Sequence, residues 1–252
     1  VVLAGDPRQL PPTVITQAQE ASAGLASTLF ERCSARWPAE ATCMLTTQYR
    51  MSDELMRYPS RAHYDGRLEA GAGNRRHKLQ DLLPDTPLSE RDGRPWIVID
   101  TSELEGSEAL DEDSSSIYND GHRQRVVGEI ERLIHLGIAA RDIAAICPYA
   151  AQTQRLRAEL SDLLQQGLEI GTVDGFQGRE KEVIVLDLVR SNSAGQLGFL
   201  RDVRRTNVAI TRAKRQLIVI AHGDTISRHA YYRELLAAAR EADAHELARR
   251  AT

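Results

Sequence analysis

Short apolar runs that alternate with amphipathic helical stretches constrain the fold of this chain more than any other feature. Three of the runs cover residues 96–100, 143–147 and 183–186, and a fourth covers residues 216–221. A helical stretch over residues 120–136 places its apolar side chains on one side. Continuous apolar runs of this kind are typical of strands that are buried on both faces of a parallel sheet. The sequence therefore predicts an α/β fold with a mostly parallel sheet and helices on both faces.

The bulk properties of the chain exclude several classes of protein. No apolar run approaches the ~20 residues that a membrane-spanning helix needs, so we expect no membrane partner. The chain lacks the basic leader of a signal peptide. Because it also starts without Met, in what reads as mid-strand, we expect it to be a piece of a longer protein. Three scattered cysteines, Cys33, Cys43 and Cys147, argue against a disulfide framework or a zinc site, and an intracellular location, cytoplasmic or nuclear, is the expectation.

Residues 172–182 form a turn rich in glycine and charge that leads into a buried strand. The formal net charge of −4 gives the chain no overall attraction to polyanions, so any polyanion site has to be local. Gly175 and Gly178 permit close approach of the backbone to a ligand, and the adjacent Arg179 and Lys181 suit an anion. A purely structural turn would need the glycines but not the neighbouring charges.

A second arginine-rich segment covers residues 204–212 and is predicted to lie on a helix over residues 201–214. At helical pitch Arg201, Arg205 and Arg212 would share one face. Two cationic elements separated by one strand indicate a phosphate site. A solvated basic surface helix is the alternative, and these stretches alone leave both interpretations open.

Polar side chains also follow two other predicted strands. Residues 1–4 read as a strand that ends in a Gly-Asp-Pro turn, where Asp6 and Gln9 could orient a water or a phosphate. Alternatively, Asp6 simply caps the turn. Tyr49 and Arg50 lie between a predicted strand and a predicted helix, where the tyrosine could stack on a base and the arginine could reach a phosphate. A packed tyrosine and a surface arginine are the alternative.

The chain lacks the glycine-rich motif that forms a cradle for the phosphates of a nucleotide, which limits what its arginines and strand-end residues can do alone. Side chains at strand ends on one edge of a parallel sheet lie close together, so five are expected to converge: Gln9, Tyr49, Arg50, Glu180 and Arg212. However, the motif G-x-x-x-x-G-K-[ST] is absent, because no lysine follows a glycine. Asp187 ends an apolar strand, but with no cradle to pair with it we interpret it as a strand-end residue. Arginines without the cradle are typical of a domain that completes a site whose other half lies elsewhere.

Three further segments are predicted to be structural. Residues 17–37 read as a helix. Residues 66–95 read as loop, because glycines and prolines interrupt any period. Residues 103–116 are acidic and serine-rich with few residues able to anchor them, which predicts a mobile surface insertion without a catalytic role.

Four stretches resemble helicase motifs III, IV, V and VI in order and spacing. They are VVLAGDPRQLPP, QYRM, TVDGFQGREKE and RRTNVAITRAK, which begin at residues 1, 48, 172 and 204. The chain is similar to superfamily 1 helicases of the nonsense-mediated-decay type, in particular to the branch of the immunoglobulin-mu-binding protein and the DNA polymerase alpha-associated helicase. The resemblance implies a RecA-like P-loop NTPase fold. Residues 1–16 would end a first RecA-like domain, residues 17–240 would form the second, and residues 241–252 would be a helical tail.

The resemblance also implies a role for each motif residue. ATP and Mg²⁺ would be held mainly by an N-terminal RecA-like domain of the same protein, so this chain alone is expected not to hydrolyse ATP. The catalytic set would be Gln9, which senses the γ-phosphate, and the paired arginine fingers Arg50 and Arg212. The remaining nucleotide contacts would be adenine stacking by Tyr49, close approach at Gly178 and a ribose contact by Glu180.

A single strand of DNA or RNA would cross both RecA-like domains, and ATP hydrolysis would drive movement along it from 5′ to 3′. Contacts to the strand would come from Thr172, Pro148, Tyr149 and Gln152. Two positions differ from the family's pattern, since Ser52 stands where histidine is common and Ala150 where asparagine is common. The alternative function is a catalytically inactive module, derived from a helicase, that binds nucleic acid or protein.

Overall fold

The structure is a computed structural model that describes residues 2–11, 27–104 and 107–248, and the chain divides into two compact units, Val1–Thr46 and Thr47–Thr252. In the first unit the described residues form helix α1 (Leu29–Ser34) and a short 3₁₀ helix, Ala39–Ala41. Thr28 Oγ1 accepts from the Glu31 amide at 3.1 Å, and the Glu31 carboxylate accepts from the Thr28 amide at 2.7 Å. This reciprocal capping box satisfies two amide groups that the start of α1 leaves free.

The first unit departs from the sequence prediction at both of its elements. Residues 2–4 form no strand. Asp6 instead organises a turn, because its carboxylate accepts from the amide of Arg8 at 2.8 Å and from Gln9 Nε2 at 3.0 Å. These bonds agree with the turn-capping interpretation of Asp6. Of the helix predicted over residues 17–37, residues 17–26 lie outside the described part of the chain. In the remaining residues the helix covers Leu29–Ser34.

The second unit is built on a six-stranded parallel sheet. The strands of the whole unit, in chain order, are β1 (Thr47–Gln48), β2 (Glu69–Ala70), β3 (Trp96–Asp100), β4 (Ala109–Leu110), β5 (Ile117–Tyr118), β6 (Ile143–Cys147), β7 (Glu169–Thr172), β8 (Lys181–Asp187), β9 (Ala213–Ala221) and β10 (His245–Leu247). The main sheet has the order β10-β3-β9-β8-β6-β7, and every neighbouring pair in it is parallel. The short strands β1 and β2 pair in parallel, and β4 and β5 form an antiparallel pair.

Helices connect these strands. They are α2 (Asp53–His63), α3 (Glu90–Gly93), α4 (Asp120–His135), α5 (Ala150–Glu159), α6 (Ser161–Gln165), α7 (Val203–Ile210), α8 (Gly223–Ile226) and α9 (Ala230–Glu241). Short 3₁₀ helices cover Leu79–Leu82, Ala140–Asp142, Asp174–Phe176 and Gly198–Arg201. No helix within the described ranges is long and apolar enough to cross a membrane.

Both faces of the main sheet are covered, as the apolar runs predict. Helices α4 and α5 pack on one face, where their buried side chains Val126, Ile130 and Leu156 join alternate residues of the central strands. The intervening strand residues, such as Val98 and Val219, are also fully buried. Helices α2, α7 and α9 pack against β9, β8 and β3 and bury their own apolar side chains outside the first cluster. The predicted α/β class with a mostly parallel sheet is therefore confirmed.

The apolar strands lie where the sequence places them, but the arginine-rich segment does not form one helix. Strands β3 and β6 have the predicted bounds, and α4 ends at His135, one residue earlier than predicted. The helix predicted over residues 201–214 is only α7 (Val203–Ile210), because β9 already begins at Ala213. Arg212 therefore lies in the turn between the two and does not share a helix face with Arg205.

The segment over residues 103–116 has more anchors than its composition predicts. Its residues Ala109 and Leu110 form β4, and Glu108 makes an ion pair of 2.7 Å with the buried Arg190. The Glu108 carboxylate also accepts from the amide of Ser191 at 2.7 Å. The prediction of few anchoring residues is wrong because the partners of Glu108 lie more than 80 residues further along the chain.

The predicted C-terminal helical tail is wrong over the residues that the structure describes there. Helix α9 ends at Glu241, and His245–Leu247 forms the edge strand β10, which pairs in parallel with β3. His245 Nε2 lies 3.1 Å from Oδ2 of the buried Asp100, so the strand is tied to the end of β3. An edge strand of three residues is too short to show an apolar period in the sequence.

Candidate functional site

The predicted site residues of the second unit lie at two edges of the main sheet rather than one. Glu180 and Arg212 precede β8 and β9, so they lie at the amino ends of these strands. Thr172 ends β7 and Tyr149 follows β6 by two residues, so they lie at the carboxyl ends. The segment between β7 and β8 runs back from one edge to the other. Gln9 belongs to the first unit.

Arg50 connects the start of α2 to the amino edge of the sheet. Its Nε donates to Glu180 Oε2 at 2.6 Å, and its Nη1 donates to the carbonyl oxygen of Thr211 at 3.0 Å. The backbone before α2 is held by Gln48, whose Oε1 accepts from the amides of Arg50 and Met51, each at 2.8 Å. Gln48 therefore fixes the direction in which Arg50 leaves the backbone, a role that sequence reasoning missed.

Glu180 is the centre of this charge cluster. Its second carboxylate oxygen lies 3.2 Å from Lys214 Nζ. The hydrogen bond from Arg50 holds the pKa of Glu180 below its ordinary value, and although partial burial opposes this shift, Lys214 adds to it. Burial alone would lower the pKa of Lys214, but its hydrogen bond to Glu180 and the charge of Glu182 raise it. Both side chains are therefore fully charged at neutral pH.

Arg212 is buried, with only 2% of the residue exposed. Its Nε donates to the carbonyl oxygen of Val208 at 2.8 Å and its Nη2 donates to Thr211 Oγ1 at 3.1 Å. Its Nη1 donates to the carbonyl oxygen of Arg179 at 3.3 Å, in the turn that precedes β8. The guanidinium thus binds a carbonyl group in the last turn of α7, where a cation is favoured by the helix dipole. It also joins the two predicted phosphate-binding turns.

Tyr49 and Gly178 remain accessible beside this cluster. Tyr49 is 77% exposed, and its ring lies against Gly71, where a Cβ atom would come within 2.5 Å of the ring carbons. Only glycine at position 71 permits this placement of the ring. Gly178 has a φ of +83°, and a Cβ atom built there would have no neighbour within 4 Å. The amino edge therefore offers an exposed aromatic ring, an open backbone turn and a charged cluster.

The carboxyl edge holds the predicted strand contacts, but most of them are buried. Tyr149 is buried, and its hydroxyl accepts from Arg190 Nη1 at 3.1 Å and from the amide of Phe199 at 3.3 Å. Pro148 is buried as well, whereas Thr172 is partly exposed and accepts from the amide of Gly175 at 3.3 Å. Of the predicted set, Thr172 is the one residue that is more than marginally accessible.

Gln152 is fully buried, which corrects its predicted role in touching a strand. Its Oε1 accepts from the amide of Asn119 at 2.9 Å, and its Nε2 donates to Asp187 Oδ2 at 2.7 Å and to the carbonyl oxygen of Asn119 at 3.0 Å. A side chain with both ends bonded inside the protein cannot also contact a ligand at the surface. Gln152 instead holds the carboxyl end of β8 to the start of α4.

Asp187 organises this buried network, which sequence reasoning missed. The Asp187 carboxylate lies 2.8 Å from His122 Nδ1 and accepts from the amide of Val189 at 2.8 Å. Val189 has a φ of +64°, a conformation that a β-branched residue rarely adopts, and its carbonyl oxygen accepts from Asn119 Nδ2 at 3.1 Å. The network thus holds a strained turn that leads to Arg190 and the carboxyl edge. The sequence signal was the acidic residue at the end of an apolar strand.

Comparison with known proteins identifies the family of the chain. Residues 25–224, well over half of the chain, match the family described as "AAA domain". The chain belongs to this family. It is 44% identical over 235 residues to "DNA-binding protein SMUBP-2" of Mesocricetus auratus, which covers 93% of this chain and 24% of that protein.

Two other relatives carry helicase and decay names. "DNA polymerase alpha-associated DNA helicase A" of Saccharomyces cerevisiae is 40% identical, over 90% of this chain and 35% of that protein. "Regulator of nonsense transcripts 1" of Caenorhabditis elegans is 34% identical, over 94% of this chain and 22% of that protein. The chain thus spans about a fifth to a third of the length of these relatives. The prediction of a superfamily 1 helicase C-terminal domain from this branch is confirmed.

Proposed function

We propose that this chain is the C-terminal motor domain of an ATP-dependent helicase that moves 5′ to 3′ on single-stranded DNA or RNA. The observation that carries the proposal is the cluster of Arg50, Glu180, Lys214 and Arg212 at the amino edge of the sheet. In it, Arg50 and Lys214 pair with Glu180 beside an exposed ring and an open glycine turn, and the buried Arg212 connects the two turns. Such a cluster suits a triphosphate whose remaining contacts come from a second domain.

ATP fits the residues that are present. Guanidinium and ammonium groups suit phosphate oxygens, and the Glu180 carboxylate suits a ribose hydroxyl donor. The exposed ring of Tyr49 suits an adenine. By the resemblance to superfamily 1 helicases, we assign Mg²⁺ and the phosphate cradle mainly to an N-terminal RecA-like domain of the same protein. We likewise keep Gln9 as the γ-phosphate sensor.

In this mechanism Arg50 and Glu180 exchange partners when nucleotide binds. In this structure Arg50 Nε lies 2.6 Å from Glu180 Oε2. A phosphate oxygen then competes with Glu180 for Arg50, and a ribose hydroxyl donates to the carboxylate that Arg50 leaves. ATP supplies the phosphoryl group that is transferred to water. The planar fork of Arg50 stabilises the charge that develops on the phosphate oxygens, and Arg212 does so once it exchanges the protein oxygens that it binds in this structure for phosphate oxygens.

Nucleic acid is assigned to the carboxyl edge. Thr172 contacts the strand backbone directly, whereas Pro148 and Tyr149 shape the surface from below. Contacts to phosphate and sugar carry little sequence information, which suits a protein that moves along its substrate. The three cysteines are all free, which agrees with the proposed intracellular location.

Steady-state ATPase of the full-length protein, with and without single-stranded DNA or RNA, tests this function. We expect hydrolysis that rises when a strand is added, and strand binding that weakens steeply with salt. Strand binding without any hydrolysis would support the inactive binding module instead. Binding that is insensitive to salt would argue for a protein partner.

A further inference from the structure

Phe199 is an exposed aromatic side chain at the carboxyl edge of the sheet. It is 54% exposed, and its ring centroid lies 5.2 Å from that of the buried Tyr149, with 29° between the ring planes. Exposed phenylalanine in a soluble protein costs free energy, because apolar surface stays in water. The residue is therefore a candidate for a contact with a ligand.

The backbone of Phe199 is held firmly although its ring is exposed. Its amide donates to the Tyr149 hydroxyl at 3.3 Å, and the Tyr149 hydroxyl also accepts from Arg190. Gly198 has a φ of +53°, and a Cβ atom there would collide with Arg190 and with the Tyr149 hydroxyl. On the other side, the carbonyl oxygen of the buried Leu200 accepts from Tyr232 at 2.8 Å. A ring on a fixed backbone loses little conformational entropy when it binds a ligand.

Arg205 lies beside the exposed ring. The Arg205 guanidinium carbon lies 5.3 Å from the Phe199 ring centroid. Arg205 is also 3.6 Å from Asp174 and 3.6 Å from Asp202, so its charge is partly balanced. Arg201 is exposed and has no ion pair within the described ranges. An apolar ring beside one guanidinium, with a second exposed arginine two residues along the chain, matches a nucleotide, whose base is apolar on its face and whose phosphate is anionic.

The ring also lies on the surface proposed for the strand. Asp174 follows Thr172 by two residues, so its ion pair with Arg205 joins the end of β7 to the Phe199 turn. Tyr149, which follows β6, is buried beneath Phe199, so the ring is held at the same edge of the sheet as the end of β7. Arg205 contacts both Asp174 and the Phe199 ring, which connects the ring to the turn that Thr172 begins.

We propose that Phe199, supported by Tyr149 and flanked by Arg205, is a platform on which one base of a single strand stacks. The inference rests on the proposed function and names the residue that reads the base face. Stacking requires a π surface and no particular base, so the platform suits any sequence. The Arg201 side chain then meets the phosphate of the stacked nucleotide.

The test is fluorescence anisotropy with labelled oligothymidine and with an abasic oligonucleotide of equal length, using the full-length protein. The variant F199L keeps an apolar contact on Tyr149 but removes the ring, and F199W keeps the ring. We expect F199L to bind oligothymidine roughly 5- to 150-fold more weakly than wild type. F199W should bind like wild type, and its emission should be quenched by oligothymidine.

The abasic oligonucleotide separates stacking from other causes. Wild type and F199L should bind it equally, because it offers no base to stack. Equal loss of affinity for both oligonucleotides, or no loss in F199L, would overturn the platform while leaving the helicase proposal in place. Failure of wild type to bind any strand would overturn the helicase proposal itself. The variant L110A, at an exposed leucine of β4, is the matched control and should bind like wild type.

Discussion

The Nε atom of Arg50 lies 2.6 Å from Oε2 of Glu180, although 130 positions separate the two residues in the chain. Both side chains belong to turns that the sequence assigns to nucleotide binding. The two charges pair with each other at the edge of the sheet, where Glu180 also lies 3.2 Å from Lys214 Nζ. Under the proposed function, a nucleotide would replace this existing contact when it binds.

Removing the Glu180 carboxylate should affect ligand binding more than stability. The side chains of Arg50 and Glu180 are 28% and 41% exposed, and exposed ion pairs contribute less than about 1 kcal/mol. E180A should therefore unfold in urea with nearly the free energy of wild type. Its affinity for ATP should fall by about five-fold, the effect of one hydrogen bond, in titrations of the full-length protein. E90A, which also removes an exposed ion pair, should leave both quantities unchanged; an equal effect of the two variants would contradict the assignment.

Arg212 should contribute to stability, unlike Arg50. It is buried and its guanidinium donates to three oxygens of the protein. R212A should lower the free energy of unfolding by about 1–3 kcal/mol, because buried carbonyl oxygens lose their donor. R57A, at an exposed arginine of α2 with no ion pair in the described part of the chain, should change it by less than about 0.5 kcal/mol. Urea unfolding of the three proteins measures this difference, and an R212A protein as stable as R57A would show that the buried contacts do not form.

The buried Asp187 network should be sensitive to a change of one atom. The Asp187 carboxylate accepts hydrogen bonds from Gln152 Nε2 and from the amide of Val189, and it lies 2.8 Å from His122 Nδ1. D187N places a donor where an acceptor is needed, so its free energy of unfolding should fall by about 1–3 kcal/mol or more. D85N, at an exposed aspartate, is the control and should be neutral. Equal stability of D187N and D85N would show that this network does not contribute to the stability of the fold.

Acid should weaken the connection between β3, α8 and β10 through Asp100. Burial opposes the charged form of this carboxylate, but bonds from Ser102, the Gly223 amide and His245 outweigh it and hold its pKa below the ordinary value of 3.8. The contribution is then complete above pH 3.8 and is lost as the pH falls through the lower folded pKa. D100N should be less stable than wild type near neutral pH, and in urea titrations the difference should stay constant down to pH 3.8 and shrink as the pH falls below it. A difference that stays constant below pH 3.8 as well would contradict the role of the carboxylate charge.

The parts of the fold that follow from local sequence were predictable. Strands β3 and β6 have the predicted bounds because continuous apolar runs have no other way to be buried. The sequence also predicted that Arg50, Glu180 and Arg212 lie close together, because each of them is a charged residue in a turn next to a predicted strand.

Long-range partners were not predictable in the same way. The pairs Arg190–Glu108 and His122–Asp187 join residues 82 and 65 positions apart, and no periodic pattern indicates such contacts. The sequence also placed the charge cluster at the wrong edge of the sheet: it lies at the amino ends of β8 and β9, not at the carboxyl ends of the strands. The turn after β7 runs back to the amino end of β8, so its last residue, Glu180, lies opposite Thr172, where the turn begins.

The central claim is that Arg50 and Arg212 act on the transferred phosphoryl group, and ATP turnover tests it most directly. Steady-state ATPase of full-length R50A and R212A, measured below the unfolding temperature of R212A and with R57A as control, should fall by about 10³–10⁵ in kcat. ATP binding should be largely retained, because we assign the phosphate cradle to the N-terminal domain. Hydrolysis near the wild-type rate in both variants would contradict the account.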